Sequence, residues 1–197
     1  MKYSLYAALA LLSFISCGNN DNTIDDPRPV DKKAYHFEFK NYHVTNTVLY
    51  KGTQKSNPDE SLLNTYWPLY QEPAWMKINL DLQNNSIQLV AESTTDFTYN
   101  FKMSNDSVFI NENGSNKPSY IGNFNKNEAS FTLKRTFQYI KRVPREDNDG
   151  LLITQTTLFG TTKPENIFGK VFKTPSEMTK SEDQVLWSNI EYYYKAL

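Results

Sequence analysis

The stretch Trp75–Ser93, "WMKINLDLQNNSIQLVAES", decides the fold class. Met76, Ile78, Leu80 and Leu82 alternate with Trp75, Lys77, Asn79 and Asp81. Successive strand residues point to opposite faces, so this spacing makes one face apolar and the other polar. Asn84-Asn85 supplies a two-residue turn, because asparagine tolerates positive φ. Ile87, Leu89 and Ala91 carry the same pattern back. The segment reads as an antiparallel hairpin with one face toward a core.

The same period of two recurs on both sides. Upstream, Tyr35, Phe37 and Phe39 alternate with His36, Glu38 and Lys40, and the apolar phase then moves to Tyr42, Val44, Val48 and Tyr50. A shift of one residue predicts a bulge, or two strands meeting, near Asn41. Downstream, Phe97, Tyr99, Phe101 and Met103 predict a strand, followed by short ones at 108–110 and 120–124 with a turn at Asn113-Gly114 between them. A long strand is predicted over 129–143, a polar turn over 144–150, a strand over 151–159 and a last one near 167–172. Two helices interrupt this order. Asn57-Pro58-Asp59-Glu60 carries a capping asparagine, a proline at the first helical position and a glutamate three residues after the cap, which predicts a short helix to Tyr66. Ser181-Glu182-Asp183-Gln184 looks like a capping box, and Leu186, Ile190, Tyr193 and Leu197 fall at helical spacing, which predicts a C-terminal helix.

Eight to ten short antiparallel strands in meander order must close or fold over to hide their edges. The expected class is all-β. Meander order favours an up-and-down barrel, with a β-sandwich as the alternative. Tyrosine and phenylalanine, 13 and 12 of 197 residues, supply the aromatic content such a fold uses. The order of elements over roughly residues 34–175 resembles the lipocalin-like and fatty-acid-binding-like small barrels, including uncharacterised lipoproteins of that build. That resemblance implies a barrel holding a small apolar or anionic ligand, with arginine placed inside.

The first 33 residues read differently. Lys2 precedes an apolar run from Leu5 to Ile15, the pattern of a secretory signal and too short to span a bilayer. Phe14-Ile15-Ser16-Cys17 then resembles the lipobox of bacterial lipoproteins, and Cys17 is the chain's single cysteine. The resemblance implies cleavage after Ser16, a diacylglyceryl group on the Cys17 thiol and acylation of the new amine. Several acyl chains hold a protein on a membrane where one binds only reversibly. Gly18, where an aspartate would resemble an inner-membrane retention signal, favours the outer membrane. Residues 18–33 are polar, carry two prolines and have too little apolar surface to offset ordering. The expected organisation is a signal peptide (1–16), a lipidated tether (17–33) and one β domain with a C-terminal helix (34–197).

Charge narrows the function. The chain carries 21 basic and 22 acidic residues. Loss of Lys2 with the signal leaves a slightly acidic mature chain, with no basic field for nucleic acid. No G-x-S-x-G, H-E-x-x-H or phosphate-binding glycine loop occurs. The expectation is a chain without a catalytic residue, cofactor or metal. His36 and His43, seven apart on one strand, would face opposite sides unless a bulge intervenes. Asp147, Asp149 and Gly150 read as an acidic turn rather than a calcium loop, because Arg145 and Thr156 occupy the first and last ligand positions.

Three features remain as binding candidates. In "ASFTLKRTFQYIKRV" (129–143), Phe131, Leu133, Phe137 and Tyr139 share one face, and Arg135 sits in the middle of it. A guanidinium in an apolar interior needs a partner, either a protein carboxylate or that of a ligand. Tyr66, Trp67, Tyr70 and Trp75 cluster around Pro68 and Pro73, as a plug for one barrel end or as a ligand rim that could stack on a glycan. Asp106-Ser107-Val108 is similar to a short periplasmic O-glycosylation acceptor, which would modify Ser107. Trp187, Ile190 and Tyr194 would form an exposed patch for an envelope partner if the terminal helix stood free.

Overall fold

The computed structural model describes residues 34–92, 95–111, 118–157 and 171–197. Cys17, the signal, the tether, the 113–114 turn and most of the strand expected at 167–172 lie outside them. Among the described residues there are ten strands: β1 (Ala34–Lys51), β2 (Gln54–Ser56), β3 (Lys77–Asp81), β4 (Ser86–Val90), β5 (Phe97–Ser104), β6 (Ser107–Ile110), β7 (Ser119–Asn125), β8 (Ser130–Arg142), β9 (Leu151–Thr157) and β10 (Gln184–Ala196). They form one antiparallel sheet in the order β10-β1-β3-β4-β5-β6-β7-β8-β9, and β10 also pairs with β8. That last pairing closes an eight-stranded up-and-down barrel, so the sandwich alternative is set aside. β2 and β9 are side branches on β1 and β8, which extend beyond the barrel wall.

The phase shift in β1 is a bulge within one strand. Register with β10 slips between Phe39 and Asn41, and again between Val44 and Asn46. The first slip turns His43 onto the outer face with His36, and both are exposed. The bulge near Asn41 therefore puts both histidines on one side, because an extra residue reverses the parity of everything after it. The hairpin of the opening stretch forms as β3 and β4, with a longer turn than the two residues expected. Asp81 pairs with Ser86, and the Asp81 carboxylate accepts the amides of Gln83 and Asn84, each at 2.9 Å. Asn85 takes the positive φ of 51°.

The early helix is present in shortened form. A 3₁₀ turn (Glu60–Leu62) leads into α1 (Leu63–Tyr66), and the cap is Asp59 rather than Asn57, its carboxylate accepting from the Ser61 amide.

The C-terminal helix is not there. Residues 184–196 are β10, the strand that closes the barrel. Leu186, Ser188, Ile190, Tyr192 and Tyr194 face inward; Val185 and Trp187 face the other way, against Val48, Ile140, Phe172 and Met178. Burial on both faces at the start of the strand hides the period of two; of the residues at helical spacing, Leu186 and Ile190 face inward, Tyr193 faces outward and Leu197 lies exposed beyond the strand. The apparent capping box is a β-turn. Asp183, fully buried, accepts from Arg145 at 2.6 Å and from the amides of Val143 and Lys180. Trp187, Ile190 and Tyr194 are each 1% exposed or less, so the docking patch expected there does not exist.

The barrel floor is aromatic and tightly packed. Phe37 lies 5.9 Å from Phe124 and 6.0 Å from Phe131, and Tyr35 meets Phe124 edge-on at 4.8 Å. Gly122 permits β7 to lie this close to β8: a Cβ there would stand 1.9 Å from the Thr132 carbonyl oxygen.

Candidate functional site

Beyond its floor the barrel changes character, and the change begins on β8. Among the described residues β7 pairs with β8 as far as Gly122↔Leu133, and β9 pairs with β8 from Thr136↔Thr157 onward. Arg135 sits at the fork between these two ladders. Its cross-strand partner on β10 is Ile190, which is fully buried on the inner face. Arg135 is therefore an inward-facing residue between the described ends of these two ladders.

Its surroundings are aromatic and neutral. The guanidinium carbon lies 5.3 Å from the centroid of the Trp75 ring and 5.2 Å from that of Phe137. Such stacking offsets part of a buried cation's cost, by about 0.5–2 kcal/mol. Nη2 donates to the Thr156 hydroxyl at 3.0 Å, and the Tyr192 hydroxyl is a second neutral partner. Nε is buried and has no hydrogen-bond partner. Among the described residues no carboxylate pairs with Arg135. Burial lowers its pKa, opposed only by Tyr192 and Tyr194. Burial likewise pushes the Tyr192 hydroxyl up to about 12, with Arg135 pulling the other way. Among the described residues the charge is thus held without a counter-charge, an arrangement that costs stability unless something pairs with it.

The segment between β2 and β3 lies across this end. Leu63 and Tyr70 are fully buried in the barrel core, and Tyr42 meets Tyr70 edge-on at 5.6 Å. The hydroxyls of Tyr192 and Tyr194 donate to the backbone carbonyls of Tyr70 and Trp75 at 2.6 and 2.8 Å. The Trp67 ring packs edge-on against Phe137 at 5.2 Å, and Tyr66 lies 4.3 Å from Tyr139. The aromatic cluster is a plug, and it brings Trp75 onto the arginine and Trp67 onto the Phe137 ring beside it.

Of the residues singled out in the sequence, the structure gathers Arg135, Phe137, Trp67 and Trp75 into one site. Tyr139 is next to it through Tyr66. Phe131 is not part of it: four residues from Arg135 on the same face, it belongs to the floor. Ser107 opens β6 beside the turn at Asn105 and is partly exposed. Asp147 and Asp149 lie in an exposed turn where Arg145 and Asn148 bridge, and Arg145 is committed to Asp183.

Sequence reasoning missed Phe97, Tyr99, Thr156 and Tyr192 as members of the site. Phe97 and Tyr99 belong to the inner face of β5, and their alternation was legible; their position beside Trp75 was not. No family model, curated protein or solved structure matches this chain.

Proposed function

We propose that this protein is a binding protein rather than an enzyme, and that its barrel mouth receives the acidic group of a small amphiphilic ligand at Arg135. One observation carries the reading: a cation on the inner face of the barrel, stacked between two rings, with a buried Nε unpartnered and, among the described residues, no carboxylate paired with it. A ligand carboxylate supplies the missing charge, and the planar fork of the guanidinium suits it. The reading extends to the amino terminus on sequence grounds. Cys17 is the lipidation site, and the acyl chains hold the domain at the outer membrane behind a polar tether.

Native mass spectrometry of the full chain released gently from its host envelope tests the binding. The expected spectrum shows an additional small mass that is lost in Arg135→Gln. Equal occupancy in the variant would remove Arg135 from the reading. For the anchor, metabolic labelling with palmitate is expected to mark the wild type and leave Cys17→Ala unmarked; label retained in that variant would refute the anchor.

A further inference from the structure

Where the rest of a ligand would lie follows from the two ends of the barrel. Below Arg135 the axis is filled. Phe37, Phe131 and Leu133 are each 0% exposed, and Phe124 is 2% exposed. An extended acyl chain running down the barrel would have to displace this packing, at several kcal/mol for each large side chain moved. Outward from Arg135 the surface is different. Trp75 meets the Phe97 ring edge-on at 6.5 Å, and Phe97 lies nearly parallel to Tyr99, 6.4 Å away at an interplanar angle of 10°.

Phe97 and Tyr99 pair with Leu89 and Ile87, both fully buried, so all four residues are on the inner face of the sheet. Yet Phe97 is 45% exposed. The inner face of β5 emerges from the barrel at this point and presents ring faces to solvent. An exposed Phe97 ring, with the half-buried rings of Trp75 and Tyr99 beside it, next to a half-buried cation that no described carboxylate pairs with, marks a place where apolar surface and charge are offered together.

We infer that the ligand is a flat apolar carboxylate, bound head-in and tail-out: its acid meets Arg135, and its ring system lies on the shelf formed by Trp75, Phe97 and Tyr99 rather than in the barrel interior. This rests on the reading of Arg135 given above and adds the ligand class and its direction. Parallel rings select flat partners, because offset stacking and edge contacts both need planar faces. The packed floor excludes long flexible tails.

The test is calorimetric titration of the full chain with three probes: 2-naphthoate, its neutral counterpart 2-naphthylmethanol, and decanoate. Expected is binding of 2-naphthoate at least about tenfold tighter than of either other probe, lost in Arg135→Met. Phe97→Ser should weaken 2-naphthoate about fivefold while leaving decanoate unchanged. Phe97 is exposed, so that variant retains its fold, and its urea midpoint checks this. Decanoate bound more tightly than 2-naphthoate, or 2-naphthoate indifferent to Phe97→Ser, would overturn the shelf while leaving the Arg135 reading in place. Carboxylates that bind no better than the alcohol, or equally well to Arg135→Met, would overturn both.

Discussion

Phe131 and Arg135 stand four residues apart on β8 and face the same interior, yet they belong to regions built on opposite rules. Around Phe131 the barrel is solid: rings meet at ordinary packing distances, and the described core residues there are apolar. Around Arg135 a cation is stacked between Trp75 and Phe137, Nε lacks a partner, and Phe97 is left partly in water. The difference teaches that the floor is arranged for stability and that the mouth gives some of it up. Where the described part of a fold holds a charge without a counter-charge, the site is the place to look for a partner.

The sharpest way to break this contrast is to hollow the floor. Phe131→Ala should lose about 4 kcal/mol of unfolding free energy in urea titration. A loss below about 1 kcal/mol would mean that the floor is not the stabilising region. Next in size is the buried bracket that holds the turn before β10 against the end of β8. Burial alone would raise the Asp183 pKa, but hydrogen bonds from Arg145 and from the Val143 and Lys180 amides outweigh it and hold the carboxyl below its usual range. Asp183→Ala strands the Arg145 cation and should cost about 3 kcal/mol. A carboxyl depressed in the folded state contributes stability that is present above the unfolded value, near pH 4, and is lost as pH falls toward the folded one. The variant should therefore show a shallower loss of stability below about pH 4 in acid titration followed by circular dichroism.

Arg135→Met probes the other side of the comparison and should move stability in the opposite direction. It removes the unpaired charge and keeps an apolar stem of similar length, so a gain of about 1 kcal/mol is expected, alongside loss of carboxylate binding. A destabilisation of that size would show that the cation stack holds the barrel together, and the mouth would then be structural. The smallest expected effect is at Phe97→Ser, within about 0.5 kcal/mol, because nearly half of the side chain is already in water. A larger loss would place Phe97 with the floor.

The same contrast governs how much could be read from residues alone. The hairpin of β3 and β4, the bulge in β1 and the long β8 follow from a period of two, which one chain segment displays by itself. Arg135 stood out because it broke an apolar alternation. β10 did not, because two apolar clusters cover its opposite faces near Val185, Leu186 and Trp187, and burial on both sides erases the period that marks a strand. The site was half visible: Arg135, Phe137, Trp67 and Trp75 could be named, while Phe131, grouped with them by sharing their face, packs in the floor.

What the sequence by itself determined is the strand pattern, the charge set into it and the aromatic segment between β2 and β3, since side-chain alternation is a local consequence of backbone geometry. Only the tertiary structure decided that β10 closes the barrel, that β7 and β9 both pair with β8 on either side of Arg135, and that no carboxylate among the described residues meets it. Those are matters of which strands become neighbours, and pairing between residues as distant as Arg135 and Ile190, or Trp75 and Phe97, is fixed by register and closure rather than by any pattern along the chain.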